Sequence, residues 1–125
     1  MRRLKQTRLR DFLLRPKIVT KDSEGVPVIS YGDGALVRGE IWPATSTRQV
    51  EQYGDRIRGI QNMRLVGEYV VTSDDAGVAV TFEDGTVIRP GDGVHVYRDA
   101  DEEPDYTVLS VTQYYPLKME VEALA

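Results

Sequence analysis

The chain of 125 residues contains no cysteine and only one histidine, His95. The absence of cysteine excludes disulfide bonds, a thiolate nucleophile and metal sites built on thiolates. A single histidine excludes zinc sites that need several imidazoles. No apolar run approaches the ~20 residues of a membrane-spanning helix. We also expect no signal peptide, because no apolar core follows the basic start. The sequence therefore predicts a soluble, cytoplasmic domain with no metal, no cofactor and no catalytic residues.

The size and composition of the chain predict one globular domain, residues 1–125. Hydrophobic residues make up 41% and charged residues 29% of the sequence, which is typical of folded rather than disordered chains. A domain of this length buries enough surface to fold without covalent cross-links.

The net charge of -4 is unevenly distributed. Residues 1–21 hold eight basic side chains and one acidic one, for a net charge of +7. The other 104 residues carry 8 of the 16 bases and 19 of the 20 acids, for a net charge of -11. We expect residues 1–10 to form a basic, mobile arm. Such an arm can bind an acidic surface of a neighbouring subunit or a polyanion. Five of the acidic residues are concentrated between positions 99 and 105.

Turn signals at short intervals predict a mainly β fold, a small antiparallel barrel or sandwich. The odd positions of Leu117–Ala123 are apolar and the even ones charged, which predicts a half-buried strand with Leu117, Met119 and Val121 inward. Other predicted strand segments are 13–20, 26–31, 35–41, 68–72, 78–82, 86–89, 94–97 and 106–115. Within them, Ala35, Val37, Gly39 and Ile41 share one predicted face, Val78, Val80 and Phe82 share another, and Asp84-Gly85 is predicted as a two-residue hairpin turn.

One helix is predicted, in a long polar connection between Pro43 and about Leu65. Ser46 and Gln49 have the spacing of a capping box, and Gly54 is placed to end the helix in the left-handed conformation. Val50 and Tyr53 lie on one helical face, so the helix can close one end of the barrel. Long connections of this kind in compact β domains are usually functional or disordered, and this one contains Gly54 and Gly59, so it can change conformation.

The residues do not predict a catalytic site. We expect His95 to be a surface or interface residue, because no partner nucleophile is identifiable. The carboxylates near Asp74, Glu83 and 99–105 lack the alternating order of a calcium loop and fit turns better. A nucleic-acid-binding barrel is the main alternative function, since seven tyrosines and a basic arm can bind bases and phosphates. The sequence pI of about 5.0 argues against it.

Several short phrases occur in an order that resembles a known family. They are residues 8–12 (RLRDF), 15–16 (RP), 21–25 (KDSEG), 41–44 (IWPA), 50–56 (VEQYGDR), 60–63 (IQNM), 91–97 (GDGVHVY), 104–108 (PDYTV) and 114–117 (YYPL). In this order the chain resembles the small head–tail adaptor proteins, of the head-closure or stopper type, from tailed phages and prophages of Gram-positive bacteria. The segment from Arg64 to Pro90 departs from the family pattern, since it contains an additional predicted hairpin.

The resemblance implies a non-enzymatic β-barrel that forms a ring under the portal after DNA packaging and receives the tail. The implied partners are other copies of the chain, the portal or adaptor protein and the tail-completion protein. The ring encloses double-stranded DNA without sequence-specific contact, at the virion head–tail junction, after assembly in the host cytoplasm. No membrane partner is implied. The residues expected at the subunit or portal interface are Arg2, Arg3, Arg8, Asp101, Glu102 and Glu103. In the related adaptors a loop between early strands is the gating element, and residues 44–59 occupy the corresponding place here. The resemblance therefore implies a gating or docking loop with the candidate residues Arg48, Gln52, Gly54, Arg56, Arg58 and Gly59, and the alternative is that the helix only closes the barrel.

Overall fold

A closed barrel of six antiparallel strands, in the order β1-β4-β5-β11-β10-β9, forms the centre of the computed structural model, which describes residues 9–75, 77–114 and 116–124. The mainly β fold with one short helical segment confirms the predicted fold class. The strands are β1 (Arg10–Arg15), β2 (Lys17–Lys21), β3 (Pro27–Tyr31), β4 (Ala35–Pro43), β5 (Ile60–Leu65), β6 (Tyr69–Asp74), β7 (Gly77–Phe82), β8 (Val87–Ile88), β9 (Gly93–His95), β10 (Tyr106–Thr112) and β11 (Leu117–Ala123). Helix α1 (Thr47–Tyr53) and the 3₁₀ helix Gly54–Gly59 connect β4 to β5.

The barrel interior is filled by alternate residues of each strand. Leu117, Met119 and Val121 of β11 are fully buried, as predicted, and Phe12 and Leu14 of β1 lie in the same core cluster. Burying a side chain of this size contributes about 1.5–3 kcal/mol of hydrophobic free energy relative to exposure. The period-two pattern of β11 therefore defines which side of the sheet is the core.

Strand β4 shows why glycine is needed at one inward position. Val37 and Gly39 are buried, in agreement with the predicted face. A Cβ atom built on Gly39 would lie 2.3 Å from the carbonyl oxygen of Arg64 on β5. No side chain fits at that distance, so Gly39 allows β4 and β5 to pair closely.

A second sheet, β6-β7-β8, covers part of the barrel. Val80, Phe82 and Ile88 belong to the main hydrophobic cluster. Val78, Val80 and Phe82 share one face of β7, as predicted, but Val78 is 38% exposed there, whereas Ala79 on the opposite face is buried. Both faces of β7 thus have buried positions, and simple alternation does not describe the strand.

The β7–β8 turn is longer than the predicted two-residue turn. The N–H of Phe82 donates to Thr86 and the N–H of Gly85 donates to Phe82, which leaves a loop of Glu83, Asp84 and Gly85. Gly85 has a φ of 93°. A three-residue loop that ends in a glycine of positive φ is the next commonest hairpin connection after two-residue turns.

The ends of several predicted strands differ from those in the structure. The predicted strand 13–20 is two strands, because Pro16 interrupts the chain between β1 and β2. Arg10 belongs to β1, so the predicted mobile arm is wrong at this residue. Arg64 belongs to β5 rather than to the connection. Neither helix of the described residues has the length and apolar character needed to cross a membrane.

Candidate interaction surfaces

Helix α1 lies against the outer wall of the barrel, not across its end. Gln49 is its buried residue, and its side-chain Nε2 donates to Asn62 Oδ1 at 2.6 Å and to Glu120 Oε2 at 2.8 Å. Asn62 and Glu120 are paired neighbours on β5 and β11. The prediction that Val50 faces the barrel is wrong, because that side chain is 49% exposed.

The two ends of α1 follow the sequence prediction in part. The Ser46 hydroxyl accepts from the Gln49 N–H at 3.2 Å, which confirms the N-cap. The Gln49 side chain also reaches back to Ser46, where its Oε1 accepts from the Ser46 hydroxyl at 3.1 Å, while its Nε2 binds the barrel. Gly54 ends α1 with a positive φ of 56°, but its ψ of -131° lies outside the left-handed helical region.

Glu120 is the acceptor at the centre of this contact. Its carboxylate accepts from Tyr53 OH at 2.7 Å and from Ser110 Oγ at 2.6 Å, in addition to Gln49. Burial alone would raise the pKa of Glu120, but these three hydrogen bonds outweigh it and lower the pKa. Burial and the adjacent Glu120 carboxylate raise the pKa of Tyr53 to about 12. The contact is therefore a polar attachment that favours the ionised carboxylate.

The candidate gating residues occupy different surroundings. Arg56 donates twice to Glu122, at 2.8 and 3.0 Å, and this bond lowers the pKa of the Glu122 carboxyl. Gly59 is half-buried beside Ala123. The other four, Arg48, Gln52, Gly54 and Arg58, are exposed. Movement of this segment on assembly stays a prediction.

A polar groove of about 360 Å³ lies between α1 and the barrel. Arg48 and Gln52 line it from the helix, and Lys118 and Glu120 line it from β11. Both signs of charge are present, so the groove has no single preferred ligand charge.

The acidic cluster lies in the loop between β9 and β10. Asp101, Glu102 and Glu103 are exposed there, and Asp105 accepts from the N–H groups of Val96 and Tyr97 at 2.8 and 2.9 Å. The other half of the predicted interface, Arg2, Arg3 and Arg8, lies outside the described residues. Within the described part, carboxylates of 99, 101 and 102 approach one another within 4.8 Å, all of them exposed.

His95 is buried, so the prediction of a surface residue is wrong. It is only 5% exposed, and neither ring nitrogen has a hydrogen-bond partner among the described residues. It pairs with Leu13 across β1 and β9. Its neighbour two positions earlier, Gly93, lies against Pro104 and Tyr31. This face of β9 is therefore covered by the acidic loop and by β3.

Strands β2 and β3 form a separate two-stranded ribbon, defined here as residues 16–31. Every residue from Pro16 to Ser30 is exposed. The paired residues Val19 and Ile29 are 58% and 55% exposed on one face, and Ile18 and Val28 are 42% and 44% exposed on the other. Sequence reasoning recognised these strands but not their exposure, since runs of β-branched residues usually indicate burial.

The base of the ribbon is fixed to the barrel by a buried carboxylate. Asp92 accepts from the N–H groups of Lys17 and Arg89, at 3.0 and 2.9 Å. Burial raises the pKa of Asp92, although these two N–H groups act in the opposite direction. Arg15 adds hydrogen bonds to the carbonyls of Tyr31 and Gly32. The base is therefore held while the rest of the ribbon projects into solvent.

An apolar cleft with an acidic rim, here called the acidic cleft, lies between β4 and the β6–β8 sheet. It encloses about 240 Å³, and its lining includes Leu36, Val66 and Phe82. Leu36 is 63% exposed. The rim carries Glu68, Glu83 and Asp84. A hydrogen bond with Glu68 and its negative charge raise the pKa of Glu83, so the two carboxyl groups are close neighbours.

One end of the barrel exposes aromatic side chains. Tyr97 is 70% exposed, its ring lies 6.2 Å from that of Tyr106, and the Arg10 guanidinium lies 5.7 Å from its centroid. Gln61 donates to both tyrosine hydroxyls. Such a group could stack on a base, and it is the surface most relevant to the nucleic-acid alternative.

Among known proteins, no family model, no curated protein and no solved structure matches this chain.

Proposed function

We propose that this chain is a structural subunit of a phage head–tail connector, of the head-closure type. In this proposal, copies of the barrel assemble as a ring beneath the portal after DNA packaging, and the ring provides the attachment surface for the tail. Its partners are other copies of the chain, the portal or adaptor protein, and the tail-completion protein. The role is structural rather than catalytic.

The observation that carries this proposal is the projecting ribbon. A closed barrel has no free sheet edges of its own to pair with another chain. This protein adds a two-stranded ribbon whose β-branched side chains are exposed on both faces. An isolated two-stranded hairpin is at best marginally stable in water. Large exposed apolar surfaces on a small domain are typical of protein–protein interfaces.

The resemblance of the ordered sequence phrases to head–tail adaptors supports the same conclusion. Two of those phrases lie at positions that shape the subunit: Trp42-Pro43 ends β4, and residues 50–56 lie within the helical segment on the barrel wall. A ring subunit needs surfaces that meet different surfaces on the next copy. The uneven charge of the chain provides surfaces of opposite sign.

The experiment is co-expression of the full chain with the portal protein encoded in the same genome. We expect the two proteins to purify together and to show stacked rings around one channel by electron microscopy. Sequence-independent binding to duplex DNA, falling steeply with salt concentration, without any association with the portal would overturn the proposal. That result would favour the nucleic-acid-binding alternative and direct attention to Arg10 and Tyr97.

A further inference from the structure

We propose that the ribbon of one subunit docks into the acidic cleft of a second copy of this chain. The inference rests on the proposed ring assembly and names the two surfaces that meet in it. The docking face is the one that carries Val19, Lys21 and Ile29, because these residues share one side of the β2–β3 pair.

The ribbon does not use its own acidic cleft. Every residue from Pro16 to Ser30 is exposed, so within the part of the chain that the structure describes the ribbon packs on nothing beyond its base. Five residues per strand extend roughly 17 Å at about 3.4 Å per residue. That length, comparable with the radius of a small domain, is enough to lie across the surface of an adjacent subunit.

The two surfaces are complementary in polarity. Val19 and Ile29 offer exposed aliphatic side chains, and the cleft offers Leu36 and Val66, which are 63% and 43% exposed. Lys21, next to Val19 on the same face, is the cation nearest the tip of the ribbon. In the docked pair the aliphatic groups lie in the cleft and the Lys21 ammonium meets the acidic rim.

The rim is suited to receive a cation. Glu68 and Glu83 both line the cleft, and a hydrogen bond between them, together with the negative charge of Glu68, raises the pKa of Glu83. An ammonium placed against both would favour the ionised carboxylates. Arg38, which also lines the cleft, lies 3.8 Å from Asp11 across the β1–β4 pair.

The arrangement also agrees with closure of a ring. The ribbon and the cleft are different surfaces of one chain, so their contact is heterologous and leaves a free ribbon and a free cleft at the ends of each dimer. Addition of further copies can then continue until the ring closes. A ribbon-to-ribbon contact would stop at a dimer.

Because the chain has no cysteine, single introduced cysteines give a specific test. Full-length Ile29→Cys and Leu36→Cys proteins are mixed at high concentration under mild oxidation, alone and with the portal protein. We expect a disulfide-linked dimer of one chain of each kind, and a ladder of multimers from the double variant. Ser30→Cys, on the opposite face of β3, is the matched control and should give little product with Leu36→Cys.

Charge reversal tests the same contact without a cross-link. Lys21→Glu should weaken self-association roughly two- to fivefold, as for exposed ion pairs, and so should Glu83→Lys. Mixing the two variants should restore association between unlike copies. Ile29→Asp should weaken it about tenfold or more, because a charge would enter the apolar cleft.

The outcomes separate this inference from the proposed function. If rings form with the portal but no Ile29–Leu36 product appears, or only ribbon-to-ribbon dimers appear, the docking inference is wrong and the connector proposal stands. If the cross-linked product and the charge rescue appear without any portal association, the docking is correct and the connector proposal is not.

Discussion

Gln49 attaches helix α1 to the barrel, although its neighbour Val50 is the more hydrophobic residue. The reason is the surface that the helix meets. On the outer side of β5 and β11 it finds the polar side chains of Asn62 and Glu120, and a polar side chain with two donors and an acceptor satisfies them better than a valine. Helical periodicity alone does not reveal which face is buried when the receiving surface is polar.

Replacing Gln49 should therefore destabilise the protein more than its position in a short surface helix suggests. Gln49→Ala leaves Asn62 and Glu120 without this donor, and we expect a loss of about 1–3 kcal/mol in the free energy of unfolding. Gln52→Ala is the matched control, because Gln52 is exposed in the same helix, and its effect should stay within about 0.5 kcal/mol. Urea denaturation measures both, and equal effects would contradict the assigned role of Gln49.

Val121 gives the corresponding test for the barrel interior. It is fully buried, so Val121→Asp places an unpaired charge in the core and should destabilise by about 3–5 kcal/mol. Ala123→Asp, at an exposed position of the same strand, should have little effect. A Val121→Asp protein with the melting temperature of the wild type would show that the inward face of β11 is misassigned.

The Arg56–Glu122 pair predicts a pH-dependent contribution to stability. The folded-state pKa of Glu122 is lowered by the hydrogen bond from Arg56, while the unfolded value is about 4.3. Its stabilisation is therefore present above about pH 4.3 and lost as the pH falls through the folded value. We expect Arg56→Gln to be less stable than wild type at pH 6 and the difference to shrink at pH 3, measured by urea denaturation. A difference that stays constant with pH would exclude this linkage.

At the scale of elements, the burial of the strands that enclose the core could be predicted, whereas the exposure of the projecting strands could not. The alternation of apolar and charged residues in β11 predicts that one side of the strand is buried. The structure confirms this prediction at Leu117, Met119 and Val121. Strands β2 and β3 are rich in β-branched residues because they suit the extended conformation, yet they are exposed. No local sequence pattern distinguishes a strand that is buried in its own domain from a strand that is exposed at the surface.

The candidate sites were predictable to a similar degree. The N-cap residue Ser46 allowed the start of α1 to be predicted from the sequence, and Gly54 allowed its end to be predicted. The burial of Asp92 and the proximity of Glu68 and Glu83 depend on turns that bring distant segments together, so no local sequence pattern indicates them beyond a turn. The burial of His95, which is only 5% exposed, likewise has no signal in the short strand that carries it.

Hydrogen exchange tests whether the helical connection acts as a gate. The segment from Arg48 to Gly59 is joined to the barrel by side-chain bonds at Gln49, Tyr53 and Arg56, with few buried residues. We expect its amides to exchange faster than those of β5 and β11 in the free protein and to slow when the portal protein is added. Protection equal to that of the strands, unchanged by the portal, would leave a static attachment to the barrel wall.

At the scale of the whole molecule, charge and exposed apolar surface are both divided between separate regions. Lys21 and the aliphatic side chains lie on the ribbon, the carboxylates of Glu68 and Glu83 border a cleft, and residues 99–105 form a further acidic surface. In a monomer these surfaces of opposite charge stay apart. Copies arranged head to tail can bring the basic surface of one subunit against an acidic surface of the next.

The basic start of the chain leads to the last prediction, that it docks to a neighbouring subunit rather than to DNA. Its cations are interspersed with Leu4 and Leu9, apolar residues that a segment following the DNA backbone does not need. Phe12, the next apolar residue along, is fully buried in the barrel core and is not available for docking. Reversing Arg2, Arg3 and Arg8 to Glu should prevent incorporation into the connector, with the melting temperature unchanged. Replacing the same three residues by Lys keeps the charge and should preserve incorporation. Non-specific DNA binding typically has a Kd of about 10⁻⁴–10⁻⁶ M at physiological salt, so sub-micromolar, sequence-independent binding of the wild type to duplex DNA, lost in the Glu variant, would show that the basic residues bind DNA instead.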